Sequence, residues 1–204
     1  MIINYKKFSS GKHYVYLRDG DNKYFLRNIL FIRRASNPQE IVTVREWGSK
    51  TEKGAWEPPK GQMEWKELAA TGIRAGQDVP MAVLVEQMKK GVLREIAEEA
   101  KILPSEIRGL KILPMSYTEV FPDAGPNAYF RYQFWEGTLG DLRPAQKRLR
   151  DLVHNSDWKA MLPDDLKEKD AVEWWSPTSA AAWGKIRGAF SLIMTRMYYD
   201  THKK

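Results

Sequence analysis

Residues 91–102 read Gly91-Val92-Leu93-Arg94-Glu95-Ile96-Ala97-Glu98-Glu99-Ala100-Lys101-Ile102. Glu95, Glu98 and Glu99 stand at i, i+3 and i+4, so a helix here projects three carboxylates from one face. Ile96 and Ala100, with Val92 and Met88 further back, form an apolar stripe on the opposing face. Followed upstream through Val85, Leu84 and Met81, the stripe lasts about five turns at 3.6 residues per turn. Asp78-Val79-Pro80 predicts the helix start, with Asp78 as N-cap, and Pro104 its end. Two readings fit this spacing. One is the charged outer face of a solvated helix. The other is a site for a hard divalent cation such as Mg²⁺, which takes oxygen ligands and often shares them with substrate phosphates.

A second stretch lies upstream: Trp56-Glu57-Pro58-Pro59-Lys60-Gly61-Gln62-Met63-Glu64-Trp65-Lys66-Glu67. Pro58-Pro59 cannot continue a helix and stiffens the approach to Lys60. Gly61 lets the backbone come close to a ligand, and Lys60 is a compact cation suited to a phosphate. Together the two stretches resemble the Nudix box, G-x5-E-x7-R-E-U-x-E-E-x-G-U, with U a bulky aliphatic residue. Gly61 and Glu67 match the first half. Arg94, Glu95, Ile96, Glu98, Glu99 and Ile102 match the second.

The resemblance implies an α/β chain of Nudix fold, an α/β/α sandwich around a mixed sheet. It also implies a hydrolase that uses Mg²⁺ or Mn²⁺ to cleave a nucleoside diphosphate linked to another group. By that resemblance Glu95, Glu98 and Glu99 are the metal ligands, Arg94 orients a neighbouring carboxylate, and Lys60 and Gly61 meet the phosphates. Family members often carry a further acidic ligand six residues before an aromatic. Glu168 holds that position ahead of Trp174, as outlying ligand or general base, with Asp170 and Glu119 as rivals. The base deprotonating the water is then Glu95, Glu99 or Glu168.

Two features depart from the box. Lys101 stands where the family has Gly, so the helix end must close another way. Between Glu67 and Arg94 lie 26 residues where the family has seven, an excess of 19. Glu86 keeps the family spacing to Arg94, so either Glu67 or Glu86 takes the part of the first box glutamate. Residues 68–86 are read as the insertion.

The string W-x-P-P-K-G-x-x-E is most similar to the asymmetric diadenosine tetraphosphate hydrolases, which makes a dinucleoside polyphosphate the first substrate expectation. A P-K-G triplet also occurs in the mRNA-decapping and diphosphoinositol polyphosphate hydrolases of the family. Capped RNA, with a guanine stacking on Trp47, Trp56 or Trp65, and a diphosphoinositol polyphosphate are therefore the alternatives. A third reading is a catalytically silent module that binds a ligand or partner.

Composition bounds these readings. The 204 residues suit one domain of ordinary to large size. Hydrophobic content of 43% supports a core, with eight Trp and seven Phe for bulk. There is no apolar run long enough for a membrane helix, and residues 1–17 lack the apolar region of a signal peptide. Absence of Cys excludes thiol chemistry and suits a cytoplasmic or nuclear setting rather than a secreted one. The net charge of +7 suits polyanionic ligands, nucleotides or RNA, and serves solubility equally well.

Along the chain, residues 1–18 predict a strand pair. Asn28–Arg34 predicts a buried strand and Ile41–Trp47 its hairpin partner, with Ser36-Asn37-Pro38 as the turn. Gly109–Phe121 and Asn127–Trp135 predict two further strands, joined by Pro122–Pro126. Tyr117, Phe121 or Tyr129 near that loop could stack on a base, and packing in the core accounts for such rings as well. Residues 140–161, with Arg143, Lys147, Arg148 and Arg150, read as an added basic helix. It is either a solvated face or a contact for RNA or polyphosphate. Pro177–Tyr199 predicts a closing helix.

Overall fold

The computed structural model describes residues 2–154 and 168–202. Its strands are β1 (Ile2–Lys7), β2 (His13–Asp19), β3 (Asn22–Arg34), β4 (Asn37–Glu46), β5 (Trp56–Glu57), β6 (Lys60–Gln62), β7 (Arg108–Val120), β8 (Ala128–Leu139) and β9 (Lys169–Trp175). Its α-helices are α1 (Trp65–Ala69), α2 (Met81–Glu99), α3 (Arg143–His154), α4 (Ala180–Gly184) and α5 (Gly188–Thr201). The α/β class read from the sequence is the class observed. Every described register is antiparallel, and the parallel contribution is an isolated bridge from Trp56 to Ile186.

The chain forms two compact units. The first holds residues 2–29, 60–94 and 112–135. Here β1 pairs with β2 from Ile2–Arg18 to Lys7–His13, as the N-terminal pattern predicts. β2 continues onto β3, and β6 adds to β3 with Gly61 opposite Asn28 and Gln62 opposite Arg27. The insertion is tied down. After α1 it turns back onto β1, where Gly76 N–H donates to the Ile3 carbonyl at 2.8 Å and Ile3 N–H to the Gln77 carbonyl at 2.9 Å. Asp78 bridges Ile2, and the helix begins later than predicted, at Met81. The Pro80 carbonyl accepts from the N–H of Val83 and Leu84.

The second unit holds residues 30–59, 95–111, 136–154 and 168–202. Its centre is β4. A strand has two hydrogen-bonding edges, and β9 takes one from Ile41–Trp175 to Glu46–Lys169. The end of β3 and then β5 share the other. Leu30, Phe31, Ile32, Ile41, Val42 and Val44 are all fully buried, the continuous apolar run of strands covered on both faces. Phe31 stacks flat on Tyr198 of α5, with ring centres 4.0 Å apart.

Three expectations change. The β3–β4 turn is Ala35-Ser36, and Asn37-Pro38 already belongs to β4. The closing helix is two helices. Between them, residues 185–187 run beside β5: Trp56 N–H donates to the Lys185 carbonyl at 3.0 Å and Arg187 N–H to the Trp56 carbonyl at 2.7 Å. Those groups cannot serve a helix at the same time, so α4 ends and α5 restarts at Gly188, whose φ is +62°. The basic helix runs Arg143–His154, and residues 155–161 of the predicted segment lie outside the described residues.

Candidate functional site

In the first unit, α1 and α2 bring Glu67 of the first half of the split motif to Arg94 of the second. Arg94 Nε donates to Glu67 Oε1 at 2.7 Å. Glu67 Oε2 accepts from the Glu64 backbone N–H at 3.3 Å, and this capping interaction closes the first turn of α1. Gly91, one turn before Arg94, leaves room for the carboxylate: a Cβ there would stand 3.4 Å from Glu67 Oε2. Glu86, the rival by spacing, is exposed.

Lys60 and Gly61 lie on β6, with Gly61 buried and Lys60 half-buried. Beside them stands a polar cluster that sequence reasoning did not foresee, apart from Tyr117 and Glu119. Arg27 donates to the Tyr132 hydroxyl at 2.9 Å, and Tyr132 O–H donates to Glu119 Oε1 at 2.9 Å. The Arg27 guanidinium covers the Phe130 ring at 4.5 Å. Burial raises the Glu119 carboxyl, against the opposing pull of Tyr132, Arg27 and Lys60. Burial likewise pushes Tyr132 up to about 12, and raises Tyr117 with help from Glu119. Arg27 Nε, Gln62 Nε2 and Glu119 Oε2 are buried and find no hydrogen-bond partner among the described residues. The register that sets Arg27 opposite Gln62 on neighbouring strands was the missing information.

Of the aromatic candidates, Tyr117 borders this cluster, its ring 6.3 Å from that of Tyr132. Tyr129 instead stacks on Tyr24. Phe121 is buried with Phe25, Ala124 and Ala128.

In the second unit, Glu95, Glu98 and Glu99 occupy the last turns of α2. Glu95 and Glu98 are half-buried, whereas Glu99 is 5% exposed. Lys101, in the place of the family's Gly, itself takes the left-handed conformation with φ +55°, the geometry that usually calls for Gly at a helix C-terminus. Its Nζ donates back to the Glu98 carbonyl, and Arg148 of α3 donates from Nε to the Lys101 carbonyl at 2.7 Å.

Glu99 faces Lys169, whose Nζ lies 3.5 Å from Glu99 Oε1 and 2.7 Å from Glu57 Oε1. Burial alone would lower the Lys169 ammonium. The carboxylates of Glu99 and Glu57 outweigh it and hold the group well above the ordinary lysine range. Glu57 also accepts from Ser191 O–H at 3.2 Å.

The chemistry of Glu95 and Glu98 fits a divalent ion: two partly accessible carboxylates a turn apart. Glu99 as placed does not, since an ammonium already faces it. Among the described residues, no three His, Asp or Glu side chains gather into a group able to hold a metal, and Glu168 joins no such group. Glu168 is exposed, and its carbonyl accepts from Trp47 N–H at 2.9 Å. Its rival Asp170 is engaged by Arg45 Nε at 2.8 Å and Gly48 N–H at 3.0 Å.

Three cations of α3 have acidic partners close by. Arg143 pairs with Asp141, Lys147 with Asp151 and Arg148 with Glu106. Among the tryptophans considered for stacking, Trp56 is 1% exposed with its Nε1 held by Glu52, and Trp65 is stacked on Tyr5.

No family model matches the sequence, and no curated protein matches it. Solved structures similar to it include Nudix proteins. A Nudix hydrolase from Nitrosomonas europaea is 14% identical, with 88% of this chain and 90% of that chain covered and a TM-score of 0.43. The Nudix domain of Shewanella oneidensis NrtR, complexed with ADP ribose, is 12% identical over 92% and 94%, with a TM-score of 0.45. The Caenorhabditis elegans Ap4A hydrolase is 17% identical over 86% and 98%, with a TM-score of 0.40.

Proposed function

We propose that this chain is a Nudix hydrolase that cleaves a phosphoanhydride bond in a nucleoside diphosphate linked to another group, with a dinucleoside polyphosphate as the first substrate class. The observation that carries this reading is the 2.7 Å pair between Arg94 and Glu67. It joins the first half of the split box to the second, although 26 residues intervene.

Each residue then has a task. Glu67 holds Arg94. Glu95 and Glu98 would hold a divalent ion, Mg²⁺ or Mn²⁺, which relieves charge on the phosphates and lowers the pKa of a bound water. Lys60 neutralises phosphate oxygens, and Gly61 lets the β6 backbone approach them. The unsatisfied atoms of Arg27, Gln62 and Glu119 each cost about 1–3 kcal/mol while unpartnered, and polar atoms of a bound nucleotide would meet that need. Tyr117 would stack on a base beside them. General-base duty falls to Glu95 or Glu168.

The test is a substrate panel with Mg²⁺: diadenosine tetraphosphate, ADP-ribose, a diphosphoinositol and a cap-labelled RNA. Turnover of the dinucleotide is expected. Glu98→Gln should lose about 3 kcal/mol of transition-state stabilisation, on the order of 10²-fold in kcat. Absence of turnover across the panel would overturn the reading and leave a ligand-binding module, which the engagement of Glu99 by Lys169 also suits.

A further inference from the structure

Lys169 opens β9 immediately after the exposed Glu168, and its side chain is 6% exposed. Its ammonium lies between two buried carboxylates, 2.7 Å from Glu57 Oε1 and 3.5 Å from Glu99 Oε1. Glu57 is further held by Ser191 O–H at 3.2 Å and has Arg187 at 3.7 Å. A buried cation persists only where carboxylates face it, because removing any of these charges from water is costly unless the others offset it. A divalent ion would need carboxylate oxygens at about 2.0–2.1 Å for magnesium, and an ammonium this close to Glu99 would repel it strongly in a low-dielectric setting.

We propose that Lys169 is a built-in cation that withdraws Glu99 from the ligand set, so that this chain binds divalent ions through Glu95 and Glu98 without the third box carboxylate. Lys169 acts through Glu99 and is a positioning residue, not a catalytic one. The role rests on Glu95 and Glu98 being metal ligands, as in the reading above. It predicts weaker ion binding than three accessible carboxylates would give, and it makes Lys169 the residue that sets ion affinity or stoichiometry.

The test is Mn²⁺ binding to the full chain, followed by electron paramagnetic resonance and independent of turnover. In the wild type, Glu99→Gln should leave Mn²⁺ affinity unchanged, whereas Glu98→Gln should abolish most of it. Lys169→Met should tighten Mn²⁺ binding by about tenfold or more, or add an ion per chain, because affinity follows the number of charged ligands. Adding Glu99→Gln to Lys169→Met should remove that gain. Lys169→Met alone leaves two carboxylates facing each other and risks unfolding. The Lys169→Met, Glu57→Gln pair therefore accompanies it, since it keeps the net charge of the trio at its original value.

A merely structural lysine would change melting temperature in these variants without changing ion stoichiometry. The proposal is overturned if Glu99→Gln weakens Mn²⁺ binding as much as Glu98→Gln does, or if the folded Lys169 variants bind Mn²⁺ as the wild type does. A gain of Mn²⁺ binding with no hydrolysis of any panel substrate would uphold the role of Lys169 while sinking the hydrolase reading.

Discussion

At the scale of single residues, the decisive contact is between Arg94 and Glu67. Glu86 has the family spacing but is exposed on α2, while Glu67 reaches Arg94 from α1. Spacing along the chain counts residues, whereas ion pairing needs proximity. An insertion that leaves and returns changes the first without changing the second. Glu67→Gln should cost about 1–2 kcal/mol, the worth of a charge-assisted hydrogen bond that also supports the α1 cap. Glu86→Gln should stay within about 0.5 kcal/mol, as surface changes do. Urea denaturation of the two variants side by side measures this. Equal losses would return Glu86 to contention.

Among the elements, the turn after α2 is tied to α3. A non-Gly residue in the left-handed region costs about 1–2 kcal/mol, and Lys101 occupies it. Arg148 compensates by donating to the Lys101 carbonyl at 2.7 Å and pairing with Glu106 at 2.6 Å. The segment read as either a solvated face or a contact for RNA or polyphosphate thus uses one of its cations to brace the helix that bears the glutamates. Arg148→Met should destabilise the chain by about 1–3 kcal/mol through the lost charged hydrogen bonds. On the proposed hydrolase reading it should also lower turnover more than it changes KM, because the loosened turn carries Glu98. If instead only the salt dependence of RNA binding changed, α3 would be a nucleic-acid surface after all.

On the scale of the whole molecule, Glu136 is one carboxylate that should tie stability to acid. It is 3% exposed and accepts from Tyr198 O–H at 2.7 Å, with Lys111 at 3.2 Å, Arg33 at 3.4 Å and His202 at 3.0 Å. Burial pushes its carboxyl up, but Tyr198, Lys111 and Arg33 outweigh burial and leave it below the ordinary value of 4.5. A carboxyl held below its unfolded value contributes stability above that value and loses it as pH falls through the folded one. Stability measured from pH 7 downward should therefore fall below about pH 4.5, where the unfolded chain binds the proton first. In Glu136→Gln that acid limb should be shallower, at the expense of lower stability near neutrality. An unchanged acid limb would assign the effect to other carboxylates.

Much of the molecule was legible in the amino-acid order because the forces concerned are local. The period of 3.6 in Leu84, Met88, Val92, Ile96 and Ala100 marks α2, and those residues are buried as that period requires. The apolar run of β3 and the alternation around residues 127–135 mark strands for the same reason. The sequence by itself also determined that three carboxylates share one helix end. Only tertiary structure decided what those groups face. Lys169 and Glu57 lie 112 residues apart in the chain, Arg27 and Tyr132 lie 105 apart, and the break between α4 and α5 answers the backbone of Trp56. Periodicity carries no information about such pairs. They form because a buried charge or amide must find a partner inside the folded chain, and folding alone determines which one is near.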